Sequence, residues 1–221
     1  MQRLRTLARQ VPPLSLALRW LGGLGLVLAL VASFTELAED VWFREGFAWD
    51  APLILALHQF GRPWLDTVMR IVTQTGAGGA IALGIAVAGW FLWRRRALDA
   101  ATVVISFAGA AALNTVLKLL LARPRPALFP PLVVESGFSF PSGHVTAAVA
   151  LYGLLAVLLW RGRHRAWAVV SGAWVCAVAL SRIYLGVHYP SDALGSLTFA
   201  TLWLVVVFAV RDWYARRTGQ A

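Results

Sequence analysis

Ala193–Val210 reads ALGSLTFATLWLVVVFAV, 18 residues without a charge, preceded by Asp192 and closed by Arg211. A helix that crosses a bilayer needs about 20 mostly apolar residues. This run therefore predicts a membrane span, and five more stretches resemble it: Trp20–Thr35, Ala77–Trp93, Ala100–Leu117, Val145–Trp160 and Ala166–Leu180. Several are short alone but extend into flanking polar residues that reach the interface. With those flanks the spans fall near 16–35, 74–93, 99–118, 142–160, 166–184 and 191–210. Backbone groups in lipid must pair internally, and the alternation of a barrel strand is absent, so the spans are helices. The expected fold is all-α: one domain over residues 1–221, a six-transmembrane helical bundle. Composition agrees, with 59% hydrophobic and 14% charged residues against roughly 45–50% and 25% in soluble domains. A single cysteine, Cys176, excludes an internal disulfide framework, and its place in span five predicts plain packing.

The net charge of +10 would suggest nucleic acid in a soluble chain. Here the basic residues punctuate apolar runs, so they orient the protein in a membrane and no nucleic-acid partner is expected. Arg3, Arg5, Arg9 and Arg19 precede span one; Arg94–Arg96 follow span two; Arg161, Arg163 and Arg165 follow span four; Arg211, Arg216 and Arg217 follow span six. These 13 of the 20 basic residues share one side with only Asp99 and Asp212, which predicts cytoplasmic termini. Residues 1–35 have the basic start and apolar core of a signal peptide. The long basic region, Arg19 and the lack of a small-x-small site favour a retained first span. Between spans one and two, Ala51–Phe60 is an apolar run ending at Gly61-Arg62-Pro63, read as an interfacial helix on the outer leaflet, with His58 a surface or packing residue.

Polar residues persist at the outer ends of spans three to six. Lys118 ends span three, and Arg123 and Arg125 follow it. Ser142, Gly143 and His144 open span four, Ser181 and Arg182 close span five, and His188 and Asp192 flank the turn into span six. The topology places all of them on the extracytoplasmic face, where ionisable groups are functional candidates. Four cations (Lys118, Arg123, Arg125, Arg182) face two local acids, Glu135 and Asp192, so an anion is missing. Phosphate suits a guanidinium fork and a compact ammonium. Pro141-Ser142-Gly143 reads as a helix start with Ser142 as its cap, whose N–H groups and dipole favour an anion. Asn114, inside span three, reads as helix-to-helix glue.

His188 and Asp192 are four residues apart. A carboxylate on Nδ1–H of His188 would fix its tautomer and aim Nε2 at the pocket as a nucleophile. His144 can then protonate the leaving oxygen. A zinc site from His144, His188 and Asp192 is an alternative, disfavoured by the surrounding cations. An anion channel or transporter is another, although its polar groups should run through the full membrane depth.

Lys118-x6-Arg125-Pro126, Pro141-Ser142-Gly143-His144 and Ser181-Arg182-x5-His188-x3-Asp192 resemble the tripartite signature of the type-2 phosphatidic acid phosphatase (lipid phosphate phosphatase) superfamily, in order and with its spacing. The resemblance implies a cell-membrane phosphatase with no metal or cofactor, acting through a phosphohistidine. Carried over, His188 is the nucleophile, Asp192 its orienting carboxylate and His144 the general acid. Lys118, Arg125, Ser142, Gly143 and Arg182 form the phosphate clamp, with Arg123 a weaker candidate and Ser181 in a supporting role. The implied substrates are a polyprenyl diphosphate such as undecaprenyl diphosphate, phosphatidic acid and phosphatidylglycerol phosphate, the first favoured by analogy. Lipid phosphotransfer from the same site and a vanadate-dependent haloperoxidase are further chemistries that the motif admits.

Overall fold

A computed structural model describes residues 14–219 of the chain; Arg3, Arg5 and Arg9 lie outside them. Among the described residues eight helices follow one another: α1 Leu14–Phe43, α2 Asp50–His58, α3 Pro63–Thr75, α4 Gly78–Trp93, α5 Ala97–Leu121, α6 Gly143–Arg161, α7 Arg165–Tyr184 and α8 Pro190–Thr218. No strand occurs among the described residues. Helices α1, α5, α6, α7 and α8 are each long and apolar enough to cross a membrane. Their outer side chains, Leu21 and Val169 among them, stay exposed, which in water would be an aggregation surface and in lipid is the matching solvent.

The region of span two, expected over 74–93, begins in one helix and continues in another. α4 has 16 residues, about 24 Å at 1.5 Å per residue, and is too short alone. It continues from α3 through a 41° bend, and only the two together are long and apolar enough to cross a membrane as a sixth span. The break lies at Gly76, where a Cβ would meet Val178 Cγ1 at 2.6 Å and the His144 carbonyl at 3.0 Å. Only a glycine lets the backbone come this close to α6 and α7. The broken end is satisfied from neighbouring helices: the Tyr152 hydroxyl donates to the Thr75 carbonyl (3.0 Å) and the Trp174 indole to the Thr75 hydroxyl (2.9 Å).

The outer segment differs too. α1 runs on to Phe43 and absorbs Glu36, Glu39 and Asp40, since no breaker appears before Arg44 and Gly46, both at positive φ. Two helices follow where one was expected. The first, α2, buries Asp50 and Ile54 against the bundle. His58 stacks on Phe129 with ring centroids 3.8 Å apart. Cys176 is exposed, where packing was expected.

The bundle core joins Phe91, Val103, Leu154, Val178, Phe199 and Leu204. Lipid offers helices little hydrophobic drive toward one another, so close contact carries much of the association. α5 and α8 meet where Gly109 faces the Trp203 ring, whose indole donates to the Ser106 carbonyl at 3.0 Å. A Cβ at Gly109 would lie 2.1 Å from that ring. Gly109→Ala should therefore lower the thermal midpoint in detergent, by the equivalent of ~1–3 kcal/mol; an unchanged midpoint would show that the crossing is loose. Within α6, residues Val149–Gly153 form a π-turn. Carbonyls around it are taken by the Ser106 and Ser171 hydroxyls, at 2.8 Å to Ala150 and Tyr152 respectively.

At one end of the bundle Asp99 and Asp212 are paired, with Arg211 and with Arg161. The opposite end gathers the C-termini of α5 and α7 with the N-termini of α6 and α8. Those four termini carry the polar residues singled out in the sequence.

Candidate active site

The turn Val187–Tyr189 leads into α8, with Pro190 at its first position and Asp192 in its first turn. Asp192 is wholly buried. Its Oδ2 accepts the Tyr189 N–H (2.9 Å) and lies 3.3 Å from His188 Nδ1, while its Oδ1 accepts from Arg123. On the other side of the ring, His188 Nε2 lies 3.2 Å from Arg125 Nη1. A guanidinium only donates, so Nε2 is the acceptor and the ring proton sits on Nδ1, facing Asp192. The neighbours thus assign the tautomer. Burial is the stronger influence on His188 and pushes its pKa down to about 4 despite Asp192. That favours the neutral ring, whose Nε2 lone pair accepts from Arg125.

α6 opens at Ser142, which takes the N-cap position but does not cap through its side chain, contrary to expectation. Its N–H donates to the Ser196 hydroxyl at 2.7 Å and its carbonyl accepts from Thr146. Its own hydroxyl is buried without a partner. The Nε of Arg182 is in the same condition. Among the described residues these two are the only buried side-chain polar atoms left unpaired, and both belong to the predicted phosphate clamp. Buried polar atoms are nearly always bonded, so these two stand out as donors left free within the fold. At Gly143 a Cβ would meet only Asn114 Oδ1, at an ordinary 3.5 Å. Packing does not require glycine there.

Arg182, completely buried, donates to the Thr73 hydroxyl and to Glu135, each at 2.6 Å. Arg125 donates to the carbonyls of Gly137 (3.0 Å), Ser136 (2.9 Å) and Val187 (2.8 Å), and Lys118 to that of Phe138. The loop segment Glu135–Phe138 thus meets all three clamp cations. His144 Nε2 lies 3.8 Å from Glu135, beyond hydrogen bonding. Burial would push the Glu135 carboxyl up, but Arg182 beside it holds it below the usual carboxylate range.

Arg123 departs from its candidate role. It donates to Asp192, to Ser191 and, at 2.8 Å, to Asp50, and lies over the Tyr189 ring at 4.1 Å. Its charge is spent on carboxylates and is not offered to a ligand. The charge count changes accordingly: four cations face three acids, because Asp50 joins Glu135 and Asp192. Ser181 donates to the Val178 carbonyl on its own helix. Asn114 bonds Thr146 (3.0 Å), joining α5 to α6. Sequence reasoning missed Thr73 and Asp50 altogether and counted Glu135 only as a charge. None belongs to a motif, and only tertiary packing brings them here. Among the described residues no three His, Cys, Asp or Glu side chains converge to hold a metal.

Residues 99–216 match the model of the PAP2 superfamily. Phosphatidylglycerophosphatase B of Bacillus subtilis is 36% identical over 154 residues, 66% of this chain and 75% of that protein. Undecaprenyl-diphosphatase BcrC of the same organism is 30% identical over 154 residues, covering 67% and 76%. The crystal structure of a transmembrane PAP2-type phosphatidylglycerolphosphate phosphatase from B. subtilis superposes with a TM-score of 0.76 at 31% identity, over 84% of this chain and 96% of that one.

Proposed function

Because the chain belongs to the PAP2 superfamily, we propose that this membrane lipid phosphatase hydrolyses its substrate at the extracytoplasmic face through a phosphohistidine on His188. The observation that carries the reading is the pair of unpaired buried atoms, Ser142 Oγ and Arg182 Nε, in a cluster that also holds a neutral His188. A tetrahedral phosphate would supply the acceptors that both lack.

In this mechanism the lipid tail stays in the bilayer and the phosphate lies among Lys118, Arg125, Arg182, Ser142 and the N–H groups at Gly143. Arg125 hands its contact with Nε2 to the phosphate. Nε2 of His188 attacks phosphorus, and the imidazolium that forms is stabilised by Asp192 through Nδ1–H. His144 protonates the leaving oxygen. It then takes a proton from the water that attacks the phosphoenzyme, releasing phosphate and regenerating neutral His188. The clamp stabilises charge on the equatorial oxygens, as in other phosphoryl transfers. The basic residues gathered at the opposite end of the bundle support cytoplasmic termini, and the exposed Leu53 and Leu55 of α2 suit an outer leaflet.

The names of two relatives point to lipid phosphates with a glycerol or a polyprenyl anchor. The higher identity belongs to the phosphatidylglycerophosphatase, so phosphatidylglycerophosphate should turn over fastest in a panel with phosphatidic acid and undecaprenyl diphosphate. Phosphate release in detergent, with EDTA present, is the test. EDTA-insensitive release from at least one of these lipids supports the reading; release that EDTA abolishes contradicts it. The protonation state has its own check, a histidine-selective NMR titration. Because its pKa in the fold is depressed, His188 stays neutral well below the ordinary ~6.5 and protonates only as pH falls toward about 4. A midpoint near the ordinary value would leave the nucleophile half protonated in mild acid and contradict the assignment.

A further inference from the structure

Asp50 lies outside the segment matched by the family model, on the outer helix α2. Its carboxylate is 2% exposed. Burying such a charge is costly unless every oxygen is bonded, and here each is. Oδ1 accepts the Ser191 N–H at 2.9 Å; Oδ2 accepts Arg123 Nη2 at 2.8 Å and the Ser191 hydroxyl. The other terminal nitrogen of Arg123 donates to Asp192 and Ser191.

Two consequences follow for the turn that carries Asp192. Ser191 occupies the second position of α8, where the backbone N–H has no partner within its own helix. Asp50 fills that need from another helix and so fixes the first turn of α8 in place. Arg123, meanwhile, bridges two carboxylates. With Asp50 present its charge is shared. Without it, the full guanidinium charge would fall on Asp192, in competition with His188 for the same carboxylate.

We propose that Asp50 is a positioning residue: through Arg123 and Ser191 it holds Asp192 in the orientation that serves His188, without touching substrate. The proposal rests on the reading of His188 as nucleophile. It makes α2 part of the catalytic apparatus rather than only a membrane-surface element.

Asp50→Asn is nearly isosteric and keeps an acceptor for the Ser191 N–H while removing the charge. Its kcat should fall about tenfold to a hundredfold, as for other groups that orient a reacting residue, with KM within about twofold because no phosphate contact is lost. Asp192 favours the His188 imidazolium, whereas Arg125 and Arg182 oppose it. Weakening the Asp192 contact should therefore move the acid limb of kcat/KM to lower pH. The ratio of variant to parent cancels the substrate's own ionisation. In an Arg123→Met background the same change should cost little, since its path is gone. A merely structural role would lower the yield or thermal midpoint and leave kcat per folded molecule and the limb where they were. His188→Ala belongs in the same panel. If it retains activity, the reading of the site fails; if it is inactive while Asp50→Asn keeps full kcat, only the positioning role fails.

Discussion

His188→Ala should lower phosphate release from lipid substrate by about ten-thousandfold or more, the scale seen when a nucleophile is deleted. The folded protein should survive the change. His188 makes two side-chain contacts, to Asp192 and Arg125, and both partners keep others: Asp192 retains Arg123 and the Tyr189 N–H, and Arg125 retains three carbonyls. The substitution leaves no buried charge alone, so the large cost that such a loss brings does not arise. Thermal midpoint and elution profile in detergent should stay near those of the parent. Activity above about a hundredth of the parent rate would assign the attack to another group, because general acid–base help alone is worth about a hundredfold to ten-thousandfold.

Arg182→Lys should be next in effect, with kcat down about a hundredfold to a thousandfold, the range found for losing one donor to a developing oxyanion. Lysine keeps the charge but not the fork. Arg182 uses two of its nitrogens on Thr73 and Glu135 and holds Nε free. A single ammonium cannot bond both partners and still face a phosphate in the same plane. The Thr73 contact also joins α7 to α3, so part of any loss could come from the bent span. Thr73→Val separates the two: it removes the joint while leaving the guanidinium, and should cost stability more than turnover. An Arg182→Lys variant within threefold of the parent would mean that charge alone suffices and that the free Nε has no substrate to meet.

How much of this could be read from residues alone follows from where the information lies. Helices α5 to α8 are legible because each apolar run is closed by charges or by Gly and Pro. The polar residues at their outer ends stand out against lipid, so Lys118, Arg125, His144, Arg182, His188 and Asp192 could be gathered before any coordinates. The bend at Gly76 was hidden. It depends on the closeness of Val178 and the His144 carbonyl, distant in sequence, and a glycine between two apolar stretches gives no sign of that. Arg123 shows the same limit from the other side. In Arg123-Pro124-Arg125-Pro126 the motif spacing ranks Arg125 above Arg123 but does not reveal what Arg123 does instead; one meets carboxylates and the other His188. Asp50 is one of five acids in the outer segment from 36 to 50, and only its burial separates it from the rest.

The most direct test of the mechanism is to quench turnover of a lipid phosphate rapidly under conditions that preserve phosphohistidine, and to map the phosphoryl group by mass spectrometry. A phosphoryl group on His188, formed in the parent and absent from His188→Ala, is the predicted result. A phosphoryl group on His144, one that persists in the variant, or its absence from a chain that is turning over would contradict attack by His188.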